Sequence, residues 1–95
     1  MKIKTIQQFQ KLMREIGERD NLHVSCIFCI ECRMFSNDHN GDKDFFAIAR
    51  QRSDDRYRSY YLYANTMSEP NYTTYEDRDA ALEAMRHTIN CMCLL

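Results

Sequence analysis

The sequence predicts an α+β domain in which a three-stranded antiparallel sheet carries two helices on one face, in the order α-β-β-β-α. One stretch near each end of the chain has the apolar spacing of an amphipathic helix. Between them, apolar residues alternate with mixed ones from 24 to 34, which is the period of a strand with one buried face. No linker or repeat divides the chain, so we expect a single domain over residues 1–95.

The first helix is predicted over residues 5–17. Its apolar residues recur at helical spacing: Ile6, Phe9, Leu12, Met13 and Ile16. Thr5 with Gln8 three residues later forms a capping box, and Gly17 is a natural stop. The segment 18–21 then connects the helix to the first strand.

The first strand contains three of the five cysteines. Its even positions form an unbroken apolar row: Val24, Cys26, Phe28, Ile30, Cys32 and Met34. The odd positions are mixed, so we expect one buried face. We interpret this run as the central strand of the sheet.

A hairpin and a turn delimit the next two strands. Asn40-Gly41, within the polar segment 36–44, predicts a hairpin because both residues tolerate a positive φ. The second strand covers residues 45–49, and a turn follows at 52–55. The third strand, 57–64, is dense in the aromatic residues that suit a pleated surface. These three strands should form an antiparallel meander.

The second helix follows a loop at 67–71 and a short extended piece at 72–75. Thr74 and Asp77 are both candidates for its N-cap. Acidic residues in the first turn favour the positive end of the helix dipole. The apolar stripe of this helix comprises Ala81, Leu82, Met85, Ile89 and Met92.

Two helices on one face leave the opposite face of the sheet open. We assign Leu62 to the covered side, which exposes Tyr57, Tyr61 and Tyr63 on the open side. The expected core residues are Ile6, Phe9, Leu12, Phe28, Ile30, Ile48, Leu62, Leu82, Met85 and Ile89. The terminal apolar residues either close the core or form a homodimer contact: Met92, Leu94 and Leu95.

The composition is that of an ordinary soluble globular protein, with 44% hydrophobic and 28% charged residues. The formal net charge of -1 gives no global attraction to nucleic acid or to an anionic membrane. No apolar run is long enough to span a bilayer, and the N-terminus lacks a signal peptide. We therefore expect a cytoplasmic protein without a membrane partner, whose odd number of cysteines stays as free thiols.

Cys26, Cys29 and Cys32 have a C-x-x-C-x-x-C spacing that suggests zinc, with His23, His39, Cys91 or Cys93 as the fourth ligand. In a strand, however, Cys26 and Cys32 point one way and Cys29 the other. The three thiols then cannot converge on one ion, so we predict no metal site and interpret these cysteines as core residues. A zinc-stabilised regulator remains an alternative.

Enzymatic activity has no support in the sequence. A catalytic cysteine needs a base or a positive charge beside it, and no flanking signature of a cysteine hydrolase is present. Gly17 and Gly41 are the only glycines, which excludes the glycine-rich loops that bind phosphates of nucleotides. We expect neither catalysis nor a cofactor.

Two surface segments are the candidate partner-binding sites. The segment 50–61 combines arginine with tyrosine, a pair that is enriched in protein-binding hot spots and that also contacts phosphates and stacks on bases. The segment 69–83 is acidic and would suit a basic partner. The predicted binding residues are Arg50, Arg52, Arg56, Tyr57, Arg58, Tyr61, Tyr63, Glu76, Asp77 and Asp79.

The α-β-β-β-α order is similar to that of the double-stranded RNA-binding domain. In that family the second helix begins with a lysine-rich phosphate clamp, typically G-x-S-K-K-x-A-K. This chain has Glu76-Asp77-Arg78-Asp79-Ala80-Ala81 at the matching place. Acids stand where the lysines should be, so the resemblance implies the topology and not the RNA clamp.

In size, cytosolic character and lack of catalytic motifs, the chain also resembles the small orphan proteins of phages and mobile elements, such as anti-CRISPR proteins. That resemblance implies a non-catalytic inhibitor or adaptor that occludes a surface of a host nucleic-acid-targeting defence complex. A protein partner is therefore our first expectation. Nucleic-acid binding through the arginine and tyrosine segment is the alternative.

Overall fold

The computed structural model describes residues 3–31, 43–63 and 69–93. Six elements follow one another along these ranges: α1 (Ile6–Asp20), β1 (Leu22–Glu31), β2 (Lys43–Gln51), β3 (Tyr57–Leu62), β4 (Asn71–Tyr75) and α2 (Arg78–Cys93). The α+β class is confirmed. The number of strands was underestimated, because the short extended piece at 72–75 pairs with β3 as a fourth strand.

The sheet is an antiparallel meander with the spatial order β1-β2-β3-β4. The prediction that the cysteine-containing strand is central was wrong, because among the described strands β1 pairs only with β2 and lies at an edge. The central position belongs to β2, whose residues 44–49 are buried without interruption. A strand that is buried on both faces needs a neighbour on each side and cover above and below.

The two helices lie on opposite faces of the sheet, so the prediction of both on one face was wrong. Phe9 of α1 belongs to a core cluster with Phe45 and Ala47 of β2. Ala81 and Met85 of α2 belong to a second cluster with the intervening β2 residues, Phe46 and Ile48. The reason is the composition of β2, which is apolar on both faces and therefore requires a helix on each.

The helices are also staggered across the sheet. α1 lies over β1 and β2, whereas α2 lies over β3 and contacts β2 and β4 beside it. Within the described residues, the β3–β4 half of the α1 side therefore has no helix above it. We call this region the open half-face.

α1 begins at the predicted capping box. The Thr5 hydroxyl accepts a hydrogen bond from the Gln8 backbone N–H at 3.2 Å, and the Gln8 carboxamide oxygen accepts from the Thr5 N–H at 3.0 Å. The predicted stop at Gly17 was wrong, because the helix continues to Asp20. Asn21 ends it in the left-handed region with φ 57°, a conformation that asparagine tolerates better than most residues.

A bulge between Val24 and Cys26 changes the predicted alternation of β1. Val24 packs with Ile27 and Cys29 on the α1 side, whereas Cys26 and the next two even positions pack on the α2 side. The extra residue of a bulge shifts all side chains before it to the opposite face. The unbroken apolar row of the sequence is therefore divided between the two faces.

Four of the predicted core residues are buried, namely Phe9, Ile48, Leu62 and Met85. The other six are half-buried and pack at the margins: Ile6, Leu12, Phe28, Ile30, Leu82 and Ile89. The buried residues that the prediction missed are Met13, Ile16, Leu22, Phe45, Phe46, Ala47, Ala49, Tyr60 and Ala81. Most of them lie on β2 or face α1. They were missed because the prediction placed both helices on one face and left the other face of the sheet uncovered.

Two other predictions lie outside the described residues. The Asn40-Gly41 hairpin belongs to the segment 32–42, and the terminal contact involves Leu94, Leu95 and the side chain of Met92. Of the helices in the described ranges, none has the length and apolar character needed to cross a lipid bilayer.

Candidate functional site

The turn between β2 and β3 fixes the arginine-rich segment in one conformation. The Gln51 N–H donates to the Arg56 carbonyl at 2.7 Å, and the Asp55 N–H donates to the Gln51 carbonyl at 2.9 Å. The Asp54 carboxylate accepts from the Gln51 side chain at 2.9 Å and from the Arg56 N–H at 3.1 Å. These hydrogen bonds hold the pKa of Asp54 below its ordinary value. The predicted turn at 52–55 is confirmed.

Most of the predicted binding arginines are paired with carboxylates. Arg50 contacts Asp55 at 2.7 Å and Arg58 contacts Asp20 at 2.9 Å. Arg56 lies 3.8 Å from Glu76, and both of these side chains are exposed. Only Arg52 among the four has no ion pair within the described residues. The carboxylates of Asp55, Asp20 and Glu76 therefore offset the charges of three of the four arginines.

Arg58 donates the most side-chain hydrogen bonds of these arginines within the described residues. Its Nε donates to Gln51 Oε1 at 2.6 Å, and its Nη1 donates to Asp20 Oδ2 at 2.9 Å and to the Tyr60 hydroxyl at 2.8 Å. The side chain is only 14% exposed. Burial alone would lower the pKa of Arg58, but the hydrogen bonds to Tyr60 and Asp20 outweigh burial and raise it. Its positive charge is therefore permanent.

Tyr72 stacks on this fixed guanidinium. The Arg58 Cζ atom lies 4.3 Å from the centre of the Tyr72 ring, which is within the range of a cation–π interaction. Tyr72 also lies directly opposite Tyr60 in the sheet, and their ring centres are 5.0 Å apart. Tyr72 is 46% exposed, and within the described residues it is the only large hydrophobic side chain that is exposed. We call Asp20, Gln51, Arg58, Tyr60 and Tyr72 the Arg58 cluster.

Asp20 connects the Arg58 cluster to the end of α1. Its carboxylate accepts from Arg19 Nε at 3.0 Å as well as from Arg58. The hydrogen bond from Arg19, followed in strength by that from Arg58, holds the pKa of Asp20 below its ordinary value. Arg19 also donates to Glu69 at 2.8 Å, which joins α1 to the segment that precedes β4.

The Tyr60 side chain forms the floor of the Arg58 cluster. It is almost fully buried, at 1% exposure, and its hydroxyl accepts the hydrogen bond from Arg58. Burial raises the pKa of Tyr60 above its ordinary value. The buried hydroxyl therefore stays protonated and positions the guanidinium that stacks beneath Tyr72.

The other predicted tyrosines lie on the opposite side of the sheet. Tyr57, Tyr61 and Tyr63 are half-buried and pack against the core cluster beneath α2, so the prediction that they are exposed was wrong. The rings of Tyr61 and Tyr63 are 5.0 Å apart, and burial raises the pKa of Tyr63. The error follows from placing both helices on one face, because α2 covers the face that was expected to be open.

The predicted acidic residues occupy the start of α2. Asp77 is the N-cap, since its carboxylate accepts from the Ala80 N–H at 2.8 Å. Asp79 lies in the first turn, where its charge favours the helix dipole. Asp77, Asp79 and Glu76 are all exposed, but they lie at the start of α2 and are no part of the Arg58 cluster.

Cys26 and Cys29 are free thiols that lie on opposite faces of the sheet. They therefore cannot bind one metal ion together. Within the described residues, no three histidine, cysteine or acidic side chains form a group that could hold a metal. The remaining ligands of the zinc hypothesis lie outside the described side chains: Cys32, His39, Cys91 and Cys93.

Sequence reasoning identified Arg58 but missed its partners Asp20, Gln51, Tyr60 and Tyr72. Asp20 was assigned to a connecting segment and Tyr72 to an extended piece outside the sheet. The pattern Tyr72-Thr73-Thr74-Tyr75 has high β-propensity and contained the signal for a fourth strand. With that strand in place, Tyr72 would have been placed beside β3.

Comparisons with protein-family models, with curated proteins and with solved structures find no match to this chain.

Proposed function

We propose that this chain is a small non-catalytic protein-binding domain, an inhibitor or adaptor that works by covering a surface of its partner. The observation that carries the proposal is the stacking of Tyr72 on Arg58 at 4.3 Å in the open half-face. Tyrosine and arginine are the residue types that most often dominate binding energy at protein interfaces.

The Arg58 cluster has the rigidity that such an anchor requires. Arg58 makes hydrogen bonds to Gln51, Asp20 and Tyr60, so its side chain loses little conformational entropy when a partner binds. Tyr72 has few rotatable bonds and already rests on two neighbours. Contact with a partner would bury its exposed part without ordering a flexible segment.

The charge distribution favours a protein partner over nucleic acid. Binding to a phosphate backbone draws its affinity from unpaired lysines and arginines. Here Arg50, Arg56 and Arg58 each have a carboxylate partner, and the chain carries a net charge of -1. A phosphate would have to displace these carboxylates before it could bind.

The test is a quantitative affinity capture with the chain and two variants on β4. Tyr72→Ala removes the exposed anchor, and Thr73→Ala is the matched control because its side chain is exposed on the other face of the same strand. We expect a stoichiometric protein partner with the original chain and with Thr73→Ala. Its affinity for Tyr72→Ala should fall by roughly 30-fold, the effect of losing about 2 kcal/mol at a hot spot.

Circular dichroism and thermal melting show whether both variants retain the fold. Recovery of no stoichiometric partner, or equal capture by Tyr72→Ala, would contradict the proposal. A mobility shift of nucleic acid that weakens steeply with salt would instead favour the alternative.

A further inference from the structure

A groove of about 660 Å³ runs between α1 and β1. One face of the helix lines it from Gln10 to Glu18, and the strand lines it from Leu22 to Ile27. Arg52 closes one end, where its backbone N–H donates to the Asn21 carbonyl at 3.2 Å. Within the described residues, no residue of β2 itself contributes to the lining, so the sheet borders the groove through β1.

This edge of β1 is open to a further strand. β1 is ten residues long, and within the described ranges it pairs only with β2. Alternate N–H and C=O groups of an edge strand point outward and can accept another chain. The bulge places both Val24 and Ile27 on the α1 side, where they line the groove beside that edge.

The groove also carries unneutralised positive charge. Arg14 and Arg52 line it, and neither has an ion pair within the described residues. Among the described residues that line the groove, Glu18 is the only acid, and His23 is the only titratable side chain besides Glu18 and the two arginines. In the Arg58 cluster, by contrast, the arginine forms an ion pair with Asp20.

We propose that the free edge of β1 binds an extended acidic segment of a partner protein, which adds to the sheet as a fifth strand. Main-chain hydrogen bonds to an open edge supply affinity in this mode, and side-chain pockets beside the edge supply specificity. Acidic side chains on the α1 side of the added strand meet Arg14 and Arg52, and apolar ones meet Val24 and Ile27.

This docking site is separate from the one under Proposed function and does not depend on it. Among the described strands, β1 and β4 are the two opposite edges of the sheet, and the exposed anchor of the Arg58 cluster, Tyr72, lies on β4. The two proposals therefore fail separately: a loss on Tyr72→Ala concerns the open half-face, and a loss on groove variants concerns the edge of β1.

The test is selection from a random peptide display library, carried out on the original chain and on two doubly charge-reversed variants. Arg14→Glu with Arg52→Glu alters the groove. Arg78→Glu with Arg86→Glu is the matched control, because these two arginines lie on α2 and also lack an ion pair within the described residues.

We expect the original chain and the control to select proline-free peptides rich in aspartate and glutamate, since proline cannot donate to a strand ladder. The groove variant should bind these peptides at least about tenfold more weakly, because each reversed charge then opposes a carboxylate. Hydrogen exchange should show new protection of the outward-pointing amides of β1 on binding.

Four results would overturn the proposal. They are selection of no binders, equal binding by the groove variant, protection that maps elsewhere than β1, and outward amides of β1 that are already protected in the free chain. The last would assign the edge to the chain's own residues. A fifth result would also overturn it: a concentration-dependent dimer in sedimentation, with protection of the same amides, would assign the edge to a second copy.

Discussion

At the scale of single residues, Asp20 is the group on which the Arg58 cluster depends. It accepts hydrogen bonds from Arg19 and from Arg58, and its own side chain is 25% exposed. Arg58 is more deeply placed, so its charge relies on this carboxylate for compensation. Removing one member of such a pair leaves the other charge without its strongest acceptor.

Asp20→Asn should lower the free energy of unfolding by about 1–3 kcal/mol, the range for hydrogen bonds to charged groups. Chemical denaturation at neutral pH measures this change. Glu69→Gln is the control, because the Arg19–Glu69 pair is highly exposed and should contribute less than about 1 kcal/mol. Equal effects of the two changes would mean that Arg58 does not need Asp20.

The same substitution has a pH signature. The folded pKa of Asp20 is lowered relative to the unfolded chain, so its stabilising effect is present above about pH 4 and is lost as the pH falls through the folded pKa. The difference in stability between the original chain and Asp20→Asn should therefore shrink on acidification. A stability difference that stays constant as the pH falls well below about 4 would contradict the assignment of a lowered pKa to Asp20.

At the scale of elements, α1 approaches β1 closely at Gly17. A Cβ atom added there would lie 3.4 Å from Val24 Cγ2 and 3.5 Å from the Leu22 carbonyl oxygen. Both distances are ordinary van der Waals contacts, and the residue lies inside the helix. Glycine in a helix interior costs up to about 1 kcal/mol relative to alanine.

Gly17→Ala should raise the free energy of unfolding by about 0.5–1 kcal/mol, because it reduces the freedom of the unfolded chain and fits the available space. Thermal or denaturant unfolding measures the gain. Glu18→Ala, one position further along α1, should change stability by less than about 0.5 kcal/mol. A loss of stability in Gly17→Ala would contradict this prediction, because it would mean that the added methyl group does not fit between α1 and β1.

The sequence predicted elements well where the pattern is local and poorly where it depends on tertiary cover. The capping box at Thr5 and the turn at 52–55 involve residues close in sequence, and both were confirmed. The apolar run 45–49 indicates that both faces of β2 need cover, but a run without alternation does not show which helix covers which face, so the side taken by α2 was missed. The bulge in β1 was missed for a related reason, since one extra residue leaves the apolar row intact in the sequence.

The candidate site was predictable only in part. Arginine next to tyrosine indicated Arg58, but Asp20 is 38 residues away in the chain and Tyr72 lies on another strand. Contacts of this kind depend on the register of β3 with β4 and on where α1 ends. Neither follows from residue type.

At the scale of the whole molecule, the two core clusters share their central strand. β2 contributes Phe45, Ala47 and Ala49 to the cluster beneath α1, and Phe46 and Ile48 to the cluster beneath α2. Loss of either helix would leave one side of β2 open to water. The two layers should therefore unfold together rather than separately.

Single-cysteine variants test this cooperativity. Cys26 packs on the α2 side and Cys29 on the α1 side, so their thiols report on different layers. Protection of each thiol from alkylation should be lost at the same denaturant concentration. Separate midpoints would show that one layer opens while the other persists. As a control, the two variants should have the same melting temperature, so that neither set of substitutions has changed the overall stability.

The burial of β2 on both faces also determines which substitutions the chain can accept. Positions 44–49 are buried one after another, whereas four of the five β4 residues are exposed. Saturation mutagenesis scored by the abundance of folded protein should give an unbroken run of intolerant positions along β2 and broad tolerance along β4. Sequence drift in this fold would then accumulate along β4, around Tyr72, while β2 stays almost unchanged.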